Sequence, residues 1–266
     1  MKRTIDLAGR YLTEWPVITN PQTVTDLDIS DNNFTAVPSS ISLFTHLSSL
    51  NLSRNDLSYL PDEIGLLSYL TTLDVSTNSL TELPSTLGQL TSLVLLDVTQ
   101  NELTALPSSM SSLTKLSKLY ADHNRIHSLS LSLPSLVVLT ASHNELDDLS
   151  DDIIKCSMLE SLYVDNNHLS HLPLIPTLAY LNIEHNEFTT LDNIGQMTNL
   201  VGLSISHNSL EELPAGLTSL PQLQWLNVDD YLLDDITDPR VLLTVGYLNG
   251  RNHLDLTITR WSKYHY

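Results

Sequence analysis

Aliphatic residues recur at fixed positions along most of the chain and predict one repeated structural unit. Residues 47–61 read Leu-x-x-Leu-x-Leu-x-x-Asn-x-Leu-x-x-Leu-Pro, and the same frame returns in successive segments from residue 24 to beyond residue 223. The asparagine is present in nine units, at Asn32, Asn55, Asn78, Asn101, Asn124, Asn144, Asn167, Asn186 and Asn208. Their spacings are 23, 23, 23, 23, 20, 23, 19 and 22 residues. Nine matches in one register indicate a solenoid of stacked units.

The two terminal units depart from the frame. Residues 5–16 keep its apolar pattern but have Arg10 at the asparagine position, and the last unit has Tyr231 there. We therefore assign residues 1–231 to about eleven units, the first and last of them atypical. A solenoid also has to shield its last core layer. The helical spacing of apolar residues over about 238–249, followed by the alternation of Leu254, Leu256 and Ile258, predicts a C-terminal cap over residues 232–266.

The frame has a direct physical interpretation. Leu50 and Leu52 are two residues apart, so they point to the same side of a short strand. Strands of successive units then pair in parallel at about 4.8 Å and build one long sheet. The asparagine carries both a donor and an acceptor and can satisfy backbone groups where the strand ends. The proline that closes the frame ends regular pairing.

The segment that returns from one strand to the next has its own apolar positions. They fall three and six residues before each new unit, and they predict short helical or 3₁₀ turns on the convex side. Six residues before a new unit, the one polar residue is Ser130, which lies in a shortened unit. Cys156 lies three residues before a new unit, in an apolar column. This position favours a buried cysteine that packs as a small hydrophobic residue over a reactive thiol.

These residues resemble the leucine-rich-repeat family over residues 4–235. The resemblance implies an α/β repeat fold: a horseshoe-shaped solenoid with a parallel sheet on its concave face. The 23-residue units resemble those of intracellular Ras-suppressor and scribble-type scaffolds, which implies a cytoplasmic adaptor for small GTPases, phosphatases or kinases. The shortened unit at 172–178 instead resembles repeats of YopM-type secreted bacterial effectors, which bind host factors. The subfamily stays open.

Charge narrows the range of partners. The chain has 31 Asp and Glu against 12 Lys and Arg, giving a formal net charge of −19. This field repels nucleic acid and anionic membranes and favours a protein partner with a basic surface. A single cysteine excludes an internal disulfide, and no segment reads as a secretory signal or a membrane span. We expect a cytoplasmic protein without a cofactor, either a monomer or a weak oligomer.

Large side chains at exposed strand positions are the candidate binding residues. Apolar and aromatic side chains there are Tyr120, Tyr163, Tyr180, Trp225, Leu95 and Val138, and acidic side chains at the N-terminal end of the same face include Asp74 and Asp97. Aromatic anchors are typical of protein-binding surfaces. The competing interpretation is ordinary strand propensity, which favours aromatic residues on any sheet.

Four histidines directly precede asparagines of the frame: His123, His143, His185 and His207. Acidic residues fill the neighbouring column at Asp122, Asp165, Glu184 and Asp229. Metal binding and a pH-sensitive interface are possible uses of such a column. The interpretation we favour is that the position tolerates any polar residue. We therefore predict no metal site, and we expect the last three histidines to contribute to partner binding.

Catalytic motifs are missing from the sequence. It has no phosphate-binding glycine loop, no HExxH and no GxSxG. The neighbouring Ser142 and His143 point to opposite sides of a strand, which disfavours a triad. We predict a protein that is not an enzyme. Two alternatives remain: a structural protein that oligomerises through its N-terminal edge, and a histidine-based metal or pH sensor.

Overall fold

Each unit contributes one three-residue strand, which pairs in parallel with the strand of the next unit. The computed structural model describes residues 3–229 and 231–234. Its main sheet has eleven strands: β1 (Thr4–Asp6), β2 (Asp26–Asp28), β3 (Ser49–Asn51), β4 (Thr72–Asp74), β5 (Leu95–Asp97), β6 (Lys118–Tyr120), β8 (Val138–Thr140), β10 (Ser161–Tyr163), β11 (Tyr180–Asn182), β12 (Gly202–Ser204) and β13 (Trp225–Asn227). The predicted parallel sheet and solenoid are confirmed.

Short 3₁₀ helices form most of the convex side of this part of the chain. They are η1 (Pro21–Thr23), η2 (Ser39–Leu43), η3 (Asp62–Leu66), η4 (Ser85–Gln89), η5 (Ser108–Ser112), η6 (Asp151–Lys155), η7 (Ile194–Gln196) and η8 (Ala215–Ser219). A four-residue α-helix, α1 (Tyr231–Asp234), follows the last strand. Among the described residues, no helix has the length and apolarity needed to cross a membrane. The predicted cap helix and the strand after it lie outside the described residues.

Two return segments of the described residues lack the predicted 3₁₀ turn: the one between β6 and β8, and the one between β10 and β11. The first of them contains a short strand instead. Ser128–Leu129 (β7) and Asp148–Leu149 (β9) pair in parallel and form a separate two-stranded sheet. The unit between Asn124 and Asn144 is 20 residues long, three fewer than the common unit, and Ser130 replaces its apolar residue. In the unit between Asn124 and Asn144, a shorter and extended return segment thus replaces the 3₁₀ turn.

The core consists of the repeated aliphatic residues. The middle residue of each interior strand points inward, and Leu73, Leu96 and Leu119 have no exposed surface. Cys156 lies in the apolar column of the return segments and is 1% exposed, as the sequence predicted. Burial raises the pKa of its thiol, so the reactive thiolate is disfavoured.

The asparagines connect neighbouring units through their side chains. The Nδ2 group of Asn55 donates to the carbonyl oxygens of Ile29, Leu52 and Ser53, at 3.1, 3.0 and 3.2 Å. Its Oδ1 accepts the backbone N–H of Phe34 at 3.1 Å. The same pattern recurs at Asn78, Asn101 and later units. One buried side chain therefore satisfies backbone groups of two units at once.

Strand β1 forms the N-terminal edge of the described sheet. The backbone groups of its odd-numbered residues form hydrogen bonds with the neighbouring unit. The backbone N–H and C=O groups of Thr4, Asp6 and Ala8 therefore face away from the sheet. Arg10 Nη2 donates to the carbonyl oxygen of Asp6 at 3.1 Å, and the Ala8 N–H donates to Asp6 Oδ1 at 3.0 Å. Arg10 thus takes a different role from the asparagine it replaces.

Candidate functional site

The concave face presents three columns of side chains, because the first and third residues of each strand and the second residue after the strand all point away from the core. On the C-terminal half of this face, from β6 to β13, we distinguish two groups. The aromatic residues are Tyr120, Tyr163, Tyr180 and Trp225. The carboxylate column consists of Asp122, Asp165, Glu184 and Asp229. Leu95 and Val138 lie in the same column as Tyr180, on either side of Lys118.

The aromatic residues flank smaller ones. Tyr120 and Tyr163 are both in register with Thr140, which lies on the strand between them. Tyr180 and Trp225 are likewise both in register with Gly202. Thr140 is 1% exposed and Gly202 is buried, although both face the concave side. Neighbouring side chains therefore cover them, and the aromatic residues form the outer surface.

Tyr163 is the most enclosed of the three tyrosines. Burial raises the pKa of its hydroxyl to about 12; a hydrogen bond with Ser161 opposes this shift, and the nearby Tyr180 and Tyr120 add to it. Burial also raises the pKa of Tyr120, with the carboxylates of Asp97 and Asp122 contributing in the same direction. Both hydroxyls thus stay protonated at neutral pH.

Hydroxyl, amide and backbone donors hold the carboxylate column in place. Asp165 accepts hydrogen bonds from Ser142 Oγ at 2.5 Å, Asn166 Nδ2 at 2.7 Å and Asn182 Nδ2 at 3.0 Å. Asp122 accepts from the Thr140 hydroxyl and, at 2.7 Å, from the Ser142 backbone N–H. These donors are neutral, so they fix the carboxylates without cancelling their charge.

Glu184 is held in the same manner, and Asp229 is held by a backbone donor and lies 3.8 Å from the His207 Nδ1 atom. Glu184 accepts hydrogen bonds from Ser204 Oγ and Asn227 Nδ2. Asp229 accepts the His207 backbone N–H at 2.8 and 3.0 Å. The sequence identified these acidic positions, but it gave no sign that hydroxyl and amide groups of neighbouring strands would bind them.

The N-terminal half of the concave face is acidic, with Asp28, Asp74 and Asp97 in one column. Asp74 accepts hydrogen bonds from the Ser76 N–H and hydroxyl, at 2.9 and 2.7 Å. Asp97 is in register with both Asp74 and Tyr120. Burial, and to a smaller extent the charges of Asp74 and Asp122, raises the pKa of Asp97 from 3.8 to about 6.

The pKa of Asp97 leads to a stability prediction. The folded-state pKa lies above the unfolded one, so Asp97 favours folding when protonated, and this contribution is lost as the pH rises through about 6. Asp97→Asn removes the charge but can keep the acceptor for the Thr99 N–H, as Asn51 does for Ser53 in the same column. We expect a free energy of unfolding about 1–2 kcal/mol higher than that of the native chain at pH 7.

Urea unfolding at pH 7 and pH 4 would measure this effect. At pH 4 the gain should largely vanish, since Asp97 is then protonated in the folded native chain. The exposed Asp147→Asn makes the same change in net charge and should leave stability within about 0.5 kcal/mol. Equal gains from both substitutions would assign the effect to net charge rather than to burial.

The histidines form two stacked pairs on the border of the face. The ring centroids of His123 and His143 are 4.3 Å apart, and those of His185 and His207 are 4.0 Å apart. All four residues are exposed. Stacked rings point their nitrogens in similar directions rather than toward a shared point. No group of three or more metal-binding side chains occurs within residues 3–229 and 231–234.

The backbone explains why histidine is frequent there. Each of the four has a φ between 48° and 55°, in the left-handed region, and so do the equivalent residues Asp31, Arg54, Thr77, Gln100 and Asn166. Histidine, asparagine and aspartate are enriched in this conformation. The interpretation that this position tolerates any polar residue did not include this backbone requirement.

The comparisons with known proteins place this geometry in a family. The family model described as "Leucine-rich repeat region" matches residues 23–164, more than half of the chain. None of the curated protein sequences compared with the chain matches it.

Solved structures with the same fold come from several organisms. A leucine-rich-repeat protein of Leptospira interrogans is 28% identical, with a TM-score of 0.67 over 82% of this chain and 64% of that one. The effector YopM of Yersinia pestis is 29% identical, with a TM-score of 0.71 over 84% and 65%.

The ectodomain of the Arabidopsis thaliana receptor kinase GASSHO1 was solved in complex with CASPARIAN STRIP INTEGRITY FACTOR 2. It is 27% identical, with a TM-score of 0.73 over 85% of this chain and 30% of the receptor. The chain thus spans less than two thirds of the length of each of these proteins. The repeated frame, the parallel sheet and the matching family model together show that the chain belongs to the leucine-rich-repeat family.

Proposed function

We propose that this chain is a non-enzymatic binding module that takes up a protein partner on its concave face. The observation that carries the proposal is the group of aromatic residues on the C-terminal half of that face. Tyr180 is 40% exposed there. Tyrosine and tryptophan are the side chains that most often dominate binding energy at protein interfaces.

Charge indicates the kind of partner surface. Between Lys155 and Arg240 the sequence contains no Lys or Arg, so the C-terminal half of the repeats is strongly acidic. A partner with a basic surface is attracted to this face, and association should weaken with added salt. We include a signalling protein, such as a small GTPase, kinase or phosphatase, among the proposed partners, because the 23-residue units resemble those of intracellular scaffolds.

The cytoplasm is the location that we propose for this activity. The one cysteine is a buried free thiol, which suits a reducing compartment. The similarity to YopM supports a second candidate, an effector that binds host factors. Both candidates use the same face, so one experiment tests them together.

The proposal is tested by capturing partners from a source-cell lysate with the native chain and with a variant of it. The affinity of each chain for the recovered protein is then measured. The variant Tyr120→Ala, Tyr163→Ala, Tyr180→Ala, Trp225→Ala should bind the partner at least about 100-fold more weakly, because several interface anchors are lost together. The control variant Tyr59→Ala, Tyr69→Ala removes two exposed tyrosines outside the sheet and should bind normally. Circular dichroism checks that both variants are folded. Equal affinity of the native chain and the fourfold variant would refute binding through these aromatic residues.

A further inference from the structure

On the C-terminal half of the concave face, two successive groups of three strands each carry aromatic residues and carboxylates on their outer strands. In β6, β8 and β10 the outer strands each carry an aromatic residue and a carboxylate two positions later, as Tyr120 with Asp122 and Tyr163 with Asp165. The middle strand has small residues in those columns, Thr140 and Ser142. We call this group of three strands the first subsite.

Strands β11, β12 and β13 form the second subsite, which has the same kinds of residues but carries its aromatic residues in the first column of the face instead of the third. Tyr180 and Trp225 lie on the outer strands, and Glu184 and Asp229 follow each of them by four positions. The middle strand again contributes small residues, Gly202 and Ser206. Each subsite therefore has two aromatic side chains, two carboxylates and a middle strand with small side chains in the same columns.

From this arrangement we propose that each subsite binds one arginine side chain of an extended segment of the partner protein. The inference rests on the proposed function and specifies its partner. A guanidinium group is planar and always charged, so it can stack on a tyrosine or tryptophan ring while it bonds to a carboxylate. A lysine ammonium is a compact, strongly hydrated charge, so it is less suited to contact a ring and a carboxylate at the same time.

The carboxylates of the subsites suit an external cation. The donors to Asp165 and Glu184 described above are hydroxyl and amide groups, which leave the negative charge in place. An ionised carboxylate accepts about four hydrogen bonds, so a guanidinium can add to those already made. Lys118 lies at the start of β6, two residues from Tyr120 and four from Asp122, so the first subsite is less acidic than the second.

The separation of the subsites defines the spacing of the arginines. The carboxylates of both subsites lie in one column, and those on equivalent strands are three strands apart, which is about 14 Å. An extended segment that crosses the strands advances about 3.3 Å per residue, so side chains four residues apart lie about 13 Å apart on the same side. The partner segment is therefore expected to contain Arg-x-x-x-Arg.

Dye-labelled nonapeptides of serine and glycine test this inference by fluorescence anisotropy with the full chain. One peptide carries arginines at positions 3 and 7, a second carries lysines there, and a third carries arginines at positions 3 and 6. The first should bind about tenfold more tightly than either of the others, because the lysines lose ring stacking and the shorter spacing prevents both arginines from engaging. Equal affinity for all three would show attraction by charge alone and overturn the inference.

Variants of the chain then assign each arginine. Tyr163→Ala and Trp225→Ala should each reduce binding of the first peptide to the level of a single-arginine peptide, while Tyr163→Phe, which keeps the ring, should bind normally. The exposed Tyr59→Ala is the control for a lost tyrosine outside the face. Peptide binding that neither alanine substitution weakens would also overturn the inference. If the arginine peptide does not bind preferentially but the fourfold aromatic variant still loses the captured partner, partner binding on the concave face is supported and only arginine recognition is wrong.

Discussion

Asn101→Ala is expected to lower the free energy of unfolding by about 3–5 kcal/mol, since it removes several buried hydrogen bonds at once. The Asn101 amide group donates to the carbonyl oxygens of Val75 and Val98, both at 3.0 Å, and of Thr99 at 3.3 Å. Its Oδ1 accepts the backbone N–H of Leu80 at 2.9 Å. Asn101 is 8% exposed, so water cannot easily replace the lost partners.

Urea denaturation followed by circular dichroism would measure this loss. Asn101→Asp keeps the size of the side chain but turns a donor into an acceptor that faces carbonyl oxygens, so its effect should be at least as large. The exposed Asn33→Ala is the matched control and should change stability by less than about 0.5 kcal/mol. A loss below about 1 kcal/mol in Asn101→Ala would show that the hydrogen bonds of the repeated asparagines contribute little to stability.

Gly88→Ala should destabilise the chain by about 3 kcal/mol, because neighbouring 3₁₀ helices approach closely at this residue. A Cβ atom at Gly88 would lie 2.4 Å from the carbonyl oxygen of Ser109 in the next unit. That oxygen belongs to the backbone of η5, so relief requires η4 and η5 to move apart. Gly65 meets Thr86 in the same way, also at 2.4 Å.

Thermal unfolding of Gly88→Ala beside Ser111→Ala would test the contact. Ser111 holds the equivalent position one unit later but is exposed, so its substitution should leave the melting temperature nearly unchanged. A stability of Gly88→Ala within about 0.5 kcal/mol of the native chain would mean that the two helices separate at little cost.

The fold could be predicted from the sequence because its determinants are local and repeated. The pairing of Leu50 with Leu73 in neighbouring strands follows from the register of the frame, and so does the burial of Cys156. The return segments were less predictable. The replacement of a 3₁₀ turn by β7 depends on how two units of different length stack, which no single unit encodes.

The site was only partly accessible from the sequence. Alternation placed Tyr163 and Asp165 on the same face, but the bonds of Asp165 to Ser142 and Asn182 depend on the side chains of two neighbouring strands. The raised pKa of Asp97 depends on burial, which the pattern of one strand does not specify. The left-handed backbone at His143 could have been inferred from the frequency of His, Asn and Asp at this position, although Arg54, Thr77 and Gln100 also occupy it.

The bonds at the free edge of β1 have a consequence for how the molecule behaves at high concentration. An exposed strand edge is a template on which another chain can add a strand, and fibres grow in this way. Here the Asp6 carboxylate and the Arg10 guanidinium already occupy the Ala8 N–H and the Asp6 carbonyl. An incoming strand has to displace both charged side chains, so Arg10 protects the edge against aggregation where an asparagine would have left it open.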